Sequence, residues 1–247
     1  MKNRGKQKAI APIFDIREQC KGKTVVIIGD IHGCFDELSE LLDNIKWNPK
    51  THVLIFTGDL NDRGPRIKDT LLFAMNTPFV YTLMSNHEFK LLRYLRGNPV
   101  KLDSLSKTIQ QCNDLLMHPS FINWLECLPF IVRWSDNFYV VHAGIIPDIS
   151  IKNQTKRTCM YIRTWNPISK EISRDKLDQR WYKFDYCNYP KEPLKIYFGH
   201  QIHEENPWAS YWAIAMDAGV VNGGSLRACI NGKEMVEVRA KKIYYKE

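Results

Sequence analysis

Strand-sized apolar runs alternate with helix-period segments over the first hundred residues. Residues 24–28 (Thr-Val-Val-Ile-Ile) are β-branched and continuous, as in a strand buried on both faces. Residues 35–45 then carry Leu38, Leu41, Leu42 and Ile45 at helical spacing. Asp36 and Glu37 fall in the first turn, where the helix dipole favours acids. The alternation repeats as a strand over 53–57, a helix over 67–75, a strand over 79–83 and a helix over 87–95. Such a run predicts a parallel sheet with right-handed crossovers. Residues 102–128 read as helical through Leu105, Ile109, Leu115, Leu116, Trp124 and Leu125, with a break at His118-Pro119. Residues 130–134 and 138–141 predict a hairpin about Ser135-Asp136-Asn137. Another apolar run covers 194–198, and 212–216, 225–229 and 235–238 alternate as strands of a second sheet. Residues 146–193 hold four prolines and no clear period, and read as a long functional loop over a site.

Composition narrows this picture. With 247 residues, 44% hydrophobic and 12% aromatic, the chain can bury one good core. The pattern predicts a basic tail at 1–8 and a single domain at 9–247. No apolar run is long enough to span a membrane, and the basic start lacks the apolar stretch of a secretory signal. A net charge of +8 suits polyanionic substrates, although half of it sits in that tail. The seven cysteines are odd in number and form no Cys-x-x-Cys pair. They predict buried hydrophobes in a reducing, cytoplasmic setting rather than a disulfide framework.

Candidate chemistry gathers where strands end. Asp30 and His32 follow the run at 24–28, and Asp59, Asp62 and Arg63 follow the run at 53–57. Asn86 and His87 follow 79–84, His142 follows 138–141, and His200 follows 194–198. In α/β folds, side chains just past the carboxyl ends of strands converge in one crevice. Carboxylate, imidazole and amide ligands gathered there suit a two-metal centre for phosphate-ester hydrolysis. His52, His118 and His203 belong to none of these segments and read as surface or capping residues. Gly223-Gly224 reads as a turn.

The same segments carry a family resemblance. Gly29-Asp30-Ile31-His32-Gly33, Gly58 to Gly64, Asn86-His87-Glu88, His142-Ala143-Gly144 and Gly199-His200 stand in the order found in calcineurin-like metallophosphoesterases. The chain resembles the phosphoprotein-phosphatase branch over about residues 23–201. Ser85 replaces a usual Gly, Asn61 a small apolar residue, and Asp217-Ala218-Gly219 a common Asp-Thr-Gly; none of these changes removes a ligand. The resemblance implies an α/β fold: a two-sheet β-sandwich flanked by helices. It implies two divalent transition-metal ions, Mn²⁺ first and Fe or Zn²⁺ as alternatives. Asp30 and His32 would hold one ion, Asn86, His142 and His200 the other, and Asp59 would bridge them. His87 would be the general acid, oriented by Asp62, and Arg63 would grip the phosphate. Arg163, in Tyr161-Ile162-Arg163-Thr164-Trp165, is the candidate second arginine; its plainer reading is a surface ion-pair residue.

The expected partner is a phosphorylated substrate. Residues 90–101 resemble the matching segment of PrpE-type diadenosine tetraphosphatases and of polynucleotide kinase-phosphatase modules. Residues 161–165 with Trp181-Tyr182 resemble ApaH-like phosphatases, whereas residues 76–88 resemble lambda-type protein serine/threonine phosphatases. These favour a nucleotide or RNA-end phosphate, with a protein phosphatase as the alternative and a catalytically inactive binding module behind both. Trp181-Tyr182 reads first as packing and second as a base-stacking wall.

Overall fold

The computed structural model describes residues 9–173, 179–186 and 193–246. The basic tail and Cys187 therefore lie outside the described residues. The first half runs β1 (Ile13–Asp15), α1 (Arg17–Cys20), β2 (Thr24–Ile28), α2 (Phe35–Asn44), β3 (His52–Phe56), α3 (Ile67–Asn76), β4 (Val80–Thr82) and α4 (Asn86–Leu95). Helices α5 (Ser106–Leu116) and α6 (Pro119–Cys127) precede the hairpin β5 (Ile131–Arg133) and β6 (Phe138–Val141). Then come α7 (Lys156–Tyr161), β7 (Thr164–Trp165), β8 (Ile172–Ser173), β9 (Lys195–Phe198), β10 (Ala213–Ala215), β11 (Asp217–Ala218), β12 (Ser225–Ile230) and β13 (Glu234–Arg239).

Two sheets form a sandwich. One has the order β1-β5-β6-β9-β10; the other runs β11-β12-β2-β3-β4, with β13 beside β12. Strands β2, β3 and β4 are parallel, with Val26 opposite Leu54 and Ile55 opposite Tyr81, as the repeating pattern predicts. The period-2 rule assigns the faces. Val25, Ile27, Val53, Ile55 and Cys229 meet Val132, Val140, Tyr197 and Ile214 between the sheets. Their neighbours Val26, Ile28, Leu54, Phe56 and Ala228 face the layer that includes α2 to α6. Ile131, Val141, Ile196 and Phe198 point the other way, into a cluster with Ala143, Ile145, Ile162, Trp165, Trp181 and Trp212. The long apolar runs are thus strands covered on both sides, as the expected sandwich requires.

Two expectations change, and one strand is new. The strands after residue 212 do not share a second sheet. β10 joins β9, while β12 and β13 extend the first parallel sheet, with β12 antiparallel to β2. The segment at 146–193 is not structureless, since α7 and the β7–β8 pair lie in it. β1, which pairs in parallel with β5, had no signal of its own in the sequence. His118 does cap α6, accepting from the Ser120 backbone, as read. Among the described residues, no helix is long and apolar enough to cross a membrane.

Candidate metal centre

Loops at the carboxyl ends of β2, β3 and β9, with the start of α4 and the turn at 219–222, line one cavity of about 380 Å³. Asp30, His32, Asp59, Arg63, Asn86, His87, Arg163 and His200 all reach it, and His142 is fully buried behind them. His32, Asp59 and His87 offer ligand atoms within 4.8 Å of one another, and so do Asp59, His142 and His200. Asp59 belongs to both groups. Its Oδ2 lies 3.5 Å from His32 Nε2, and its Oδ1 lies 3.5 Å from His142 Nε2. Asn86 Oδ1 lies beside the second group, 2.8 Å from His142 Nε2. Asp30 faces the same cavity without joining either group; its oxygens accept from Thr57 Oγ1 at 2.7 Å and from the His200 backbone N–H at 2.7 Å.

The backbone needed for this is unusual. His32, Asp59, Asp62, Arg63 and His200 all have φ between +46 and +70°. Each costs roughly 1–3 kcal/mol and persists only where its surroundings over-determine it. Glu88 supplies much of that determination at the β3 end. Its buried carboxylate accepts from the backbone N–H groups of Asp59 at 2.8 Å and Leu60 at 2.9 Å. Two glycines permit close approach. A Cβ on Gly199 would strike the Asp30 carboxylate, and one on Gly144, at φ +147°, would strike the Trp181 indole. Ser85 sits at φ −101°, open to any residue. Its hydroxyl caps α4 by accepting from the His87 and Glu88 backbones at 2.9 and 3.2 Å.

Hydrogen bonds select which ring nitrogens face the cavity. His32 Nδ1 pairs with Asn61 O at 2.8 Å and His142 Nδ1 with Thr57 O at 2.9 Å, so in both rings Nε2 is the nitrogen turned toward Asp59. His87 Nδ1 bonds Asp62 Oδ2 at 2.6 Å, and Asp62 Oδ1 accepts from Thr108 Oγ1 at 2.7 Å. Burial pushes His32 down to about 3, and also lowers His142 and His200, so these imidazoles stay neutral. Burial opposes the charge on Asp59, but as pH falls its attraction to the protonated forms of His142, His87, His32 and His200 outweighs burial and holds the carboxyl well below its usual value. His87 goes the other way: against burial, the charges of Asp59 and Asp62 raise it. Neutral imidazoles beside an ionised carboxylate are the states in which such groups bind metal.

Two buried atoms support the fit to a cation pair. Asp59 Oδ1 and His200 Nε2 have no hydrogen-bond partner. Unpaired buried polar atoms are rare because each costs about 1–3 kcal/mol. Here both belong to the same candidate ligand group.

Comparison with known proteins decides the family. The model for the calcineurin-like phosphoesterase family matches residues 23–224. This chain belongs to that family. It is 34% identical over 219 residues to the asymmetrical bis(5′-nucleosyl)-tetraphosphatase PrpE of Bacillus subtilis, covering 81% of this chain and 87% of that one. It is also 38% identical over 126 residues to the symmetrical bis(5′-nucleosyl)-tetraphosphatase of Neisseria meningitidis. That match covers 49% of this chain and 43% of the relative, so the chain spans less than half of the symmetrical enzyme's length. The crystal structure of a presumptive diadenosine tetraphosphatase superposes with a TM-score of 0.75 at 23% identity, covering 93% of this chain and 98% of that one. A Saccharomyces cerevisiae protein serine/threonine phosphatase shares the fold at a TM-score of 0.59 and 13% identity, over 98% of this chain and 86% of that one.

Within this phosphoesterase the two aromatic residues part company. Trp181 is fully buried, against Phe198, Trp212 and the Gly144 backbone, so it cannot stack on a base. Its burial rules out a base-stacking role for it, and of the two only Tyr182 reaches the cavity. His203, read as a surface or capping residue, instead lines the cavity edge-on to Tyr182. Arg180 and Asp217 were not singled out as cavity residues; Arg180 bonds Gln201 at 2.7 Å. Thr108 had no legible signal, because it meets Asp62 across the fold, and Glu88, although part of the Asn86-His87-Glu88 segment, was given no role of its own.

Proposed function

We propose that this protein is a dinuclear metal-dependent hydrolase of nucleotide polyphosphates. The observation that carries the reading is Asp59 shared between two ligand groups, with unpaired ligand atoms facing a common point. Arg63, Arg163 and Arg180 line the same cavity, and three guanidiniums suit several linked phosphates better than one. Both curated relatives named above carry the name bis(5′-nucleosyl)-tetraphosphatase, which agrees with that inference.

Asp30 and His32 would hold one cation, Asn86, His142 and His200 the other, and Asp59 both. When bound, the two cations would supply charge stabilisation at the phosphoryl oxygens and activate water. The side chains do the rest. Thr57 and the His200 backbone fix the Asp30 carboxylate. Asp62, itself held by Thr108, keeps the His87 Nδ1 proton and so turns Nε2 toward the cavity. From there His87 delivers a proton to the leaving oxygen, and Arg63 and Arg163 hold the phosphate. The six described cysteines are free, which fits a reducing compartment, and we place the enzyme in the cytoplasm.

The test is turnover with Mn²⁺ on diadenosine tetraphosphate, 3′-phosphorylated RNA, a phosphopeptide and p-nitrophenyl phosphate. The expected order puts the tetraphosphate first by kcat/KM. A phosphopeptide as the best substrate would replace this reading with a protein serine/threonine phosphatase.

A further inference from the structure

Arg63 is poorly held for a residue asked to grip phosphate. Its backbone is in the left-handed region at φ +70°. Its Nε is buried without a partner, and among the described residues no carboxylate pairs with the guanidinium. Among the described residues its guanidinium hydrogen-bonds through Nη1 to His32 Nε2 at 3.2 Å. That contact uses the lone pair with which His32 would bind a cation, so it is lost once the site is loaded.

One further contact remains, from a distant segment. The guanidinium carbon lies 5.1 Å from the centre of the Tyr245 ring. Tyr245 is not loosely placed. The backbone N–H groups of Tyr244 and Tyr245 both donate to Val221 O at 3.0 Å, and Asn222 Nδ2 donates to Tyr245 O at 3.1 Å. Upstream, the buried Glu37 carboxylate accepts from the Lys241 backbone at 3.0 Å and from Tyr244 Oη at 2.6 Å. Residues 240–246 thus form a strap from α2 to the 220–222 turn. Val221 and Asn222 line the cavity, whereas Tyr245 does not.

We propose that Tyr245 is a positioning residue: its ring holds the Arg63 guanidinium in the phosphate-gripping pose after His32 has turned to metal. A cationic plane over an aromatic face is attracted by the ring quadrupole and keeps its donors free for an anion at its edge. The strap makes the ring a fixed platform, so the arginine loses less freedom when phosphate arrives. This inference rests on the phosphate role given to Arg63 above.

The test is a double-mutant cycle on the Mn²⁺-loaded protein, read by steady-state kinetics and by calorimetric titration with inorganic phosphate. Tyr245→Leu should raise KM about three- to tenfold, leave kcat within about twofold, and weaken phosphate binding by the same factor as KM. Tyr245→Phe, which keeps the ring, should stay within about twofold of the parent. In an Arg63→Ala background Tyr245→Leu should add nothing, because its only route is through the arginine. Thermal unfolding of each variant checks folding; if Tyr245→Leu is unfolded, Tyr245→Met, bulky but without a π face, takes its place. The same loss from Tyr245→Leu with and without Arg63 overturns the inference, as does an unchanged phosphate affinity. If Arg63→Ala itself spares phosphate binding, the gripping role fails first, and that result is distinguishable from the others.

Discussion

Replacing Trp181 with Ala separates a packing role from a substrate-facing one. The indole is wholly buried, with ring centroids 4.9 Å from Phe198, 5.3 Å from Trp212 and 5.6 Å from Tyr182. It also fills the space over Gly144 that no Cβ can enter. Removing a buried Trp side chain costs roughly 3–5 kcal/mol, since transfer and cavity terms add. For a domain of this size each kcal/mol moves Tm by about 2–4 °C, so Tm should fall by roughly 6–20 °C. The cavity would open beside Gly144 and Phe198, two residues from His142 and His200 in sequence. Whatever activity the folded fraction loses should therefore be shared by all substrates. The assay is thermal unfolding together with kcat/KM on diadenosine tetraphosphate and on p-nitrophenyl phosphate. A base-stacking wall would give the opposite pattern: little change in Tm and a loss of about 1–3 kcal/mol confined to base-bearing substrates. That outcome would refute the burial argument.

Asp59→Asn should strip both cations, read by metal analysis after purification without chelator, because one carboxylate serves both ligand groups; retention of a full pair would exclude a bridging role. His87→Ala should keep its metal and lose about 10²–10⁴-fold on alkyl phosphates, with a much smaller loss on p-nitrophenyl phosphate, whose leaving group hardly needs a proton. Asp62→Asn should show the same pattern more weakly, since it acts only by orienting His87; equal losses on the two ester types would make His87 structural. Arg163→Ala should impair every phosphate ester, because its proposed partner is the phosphate; an effect on nucleotides alone would move it from phosphate grip to base recognition.

Much of the site was legible because its chemistry is written in short segments. Asp30, His32, Asp59, Asn86, His142 and His200 each stand one to four residues beyond an apolar run, and a strand places its end where the run stops. The β-branched continuity of 24–28 and 53–57 determined buried parallel strands, and helical spacing determined α2 to α4. These are local properties, set by backbone sterics and side-chain periodicity over about ten residues. Tertiary structure decided everything that depends on distant partners. Glu88 shapes the Asp59 turn from α4, beyond α3 and β4, Thr108 braces Asp62 across 46 positions, and Tyr245 meets Arg63 from the far end of the chain. The short strand β1 exists only through pairing with β5, and β12 joins the parallel sheet only because β2 has a free edge for it. Trp181 and Tyr182 are neighbours in sequence, yet one is core and the other faces the cavity. No local pattern separates them, because burial depends on what the rest of the chain brings alongside.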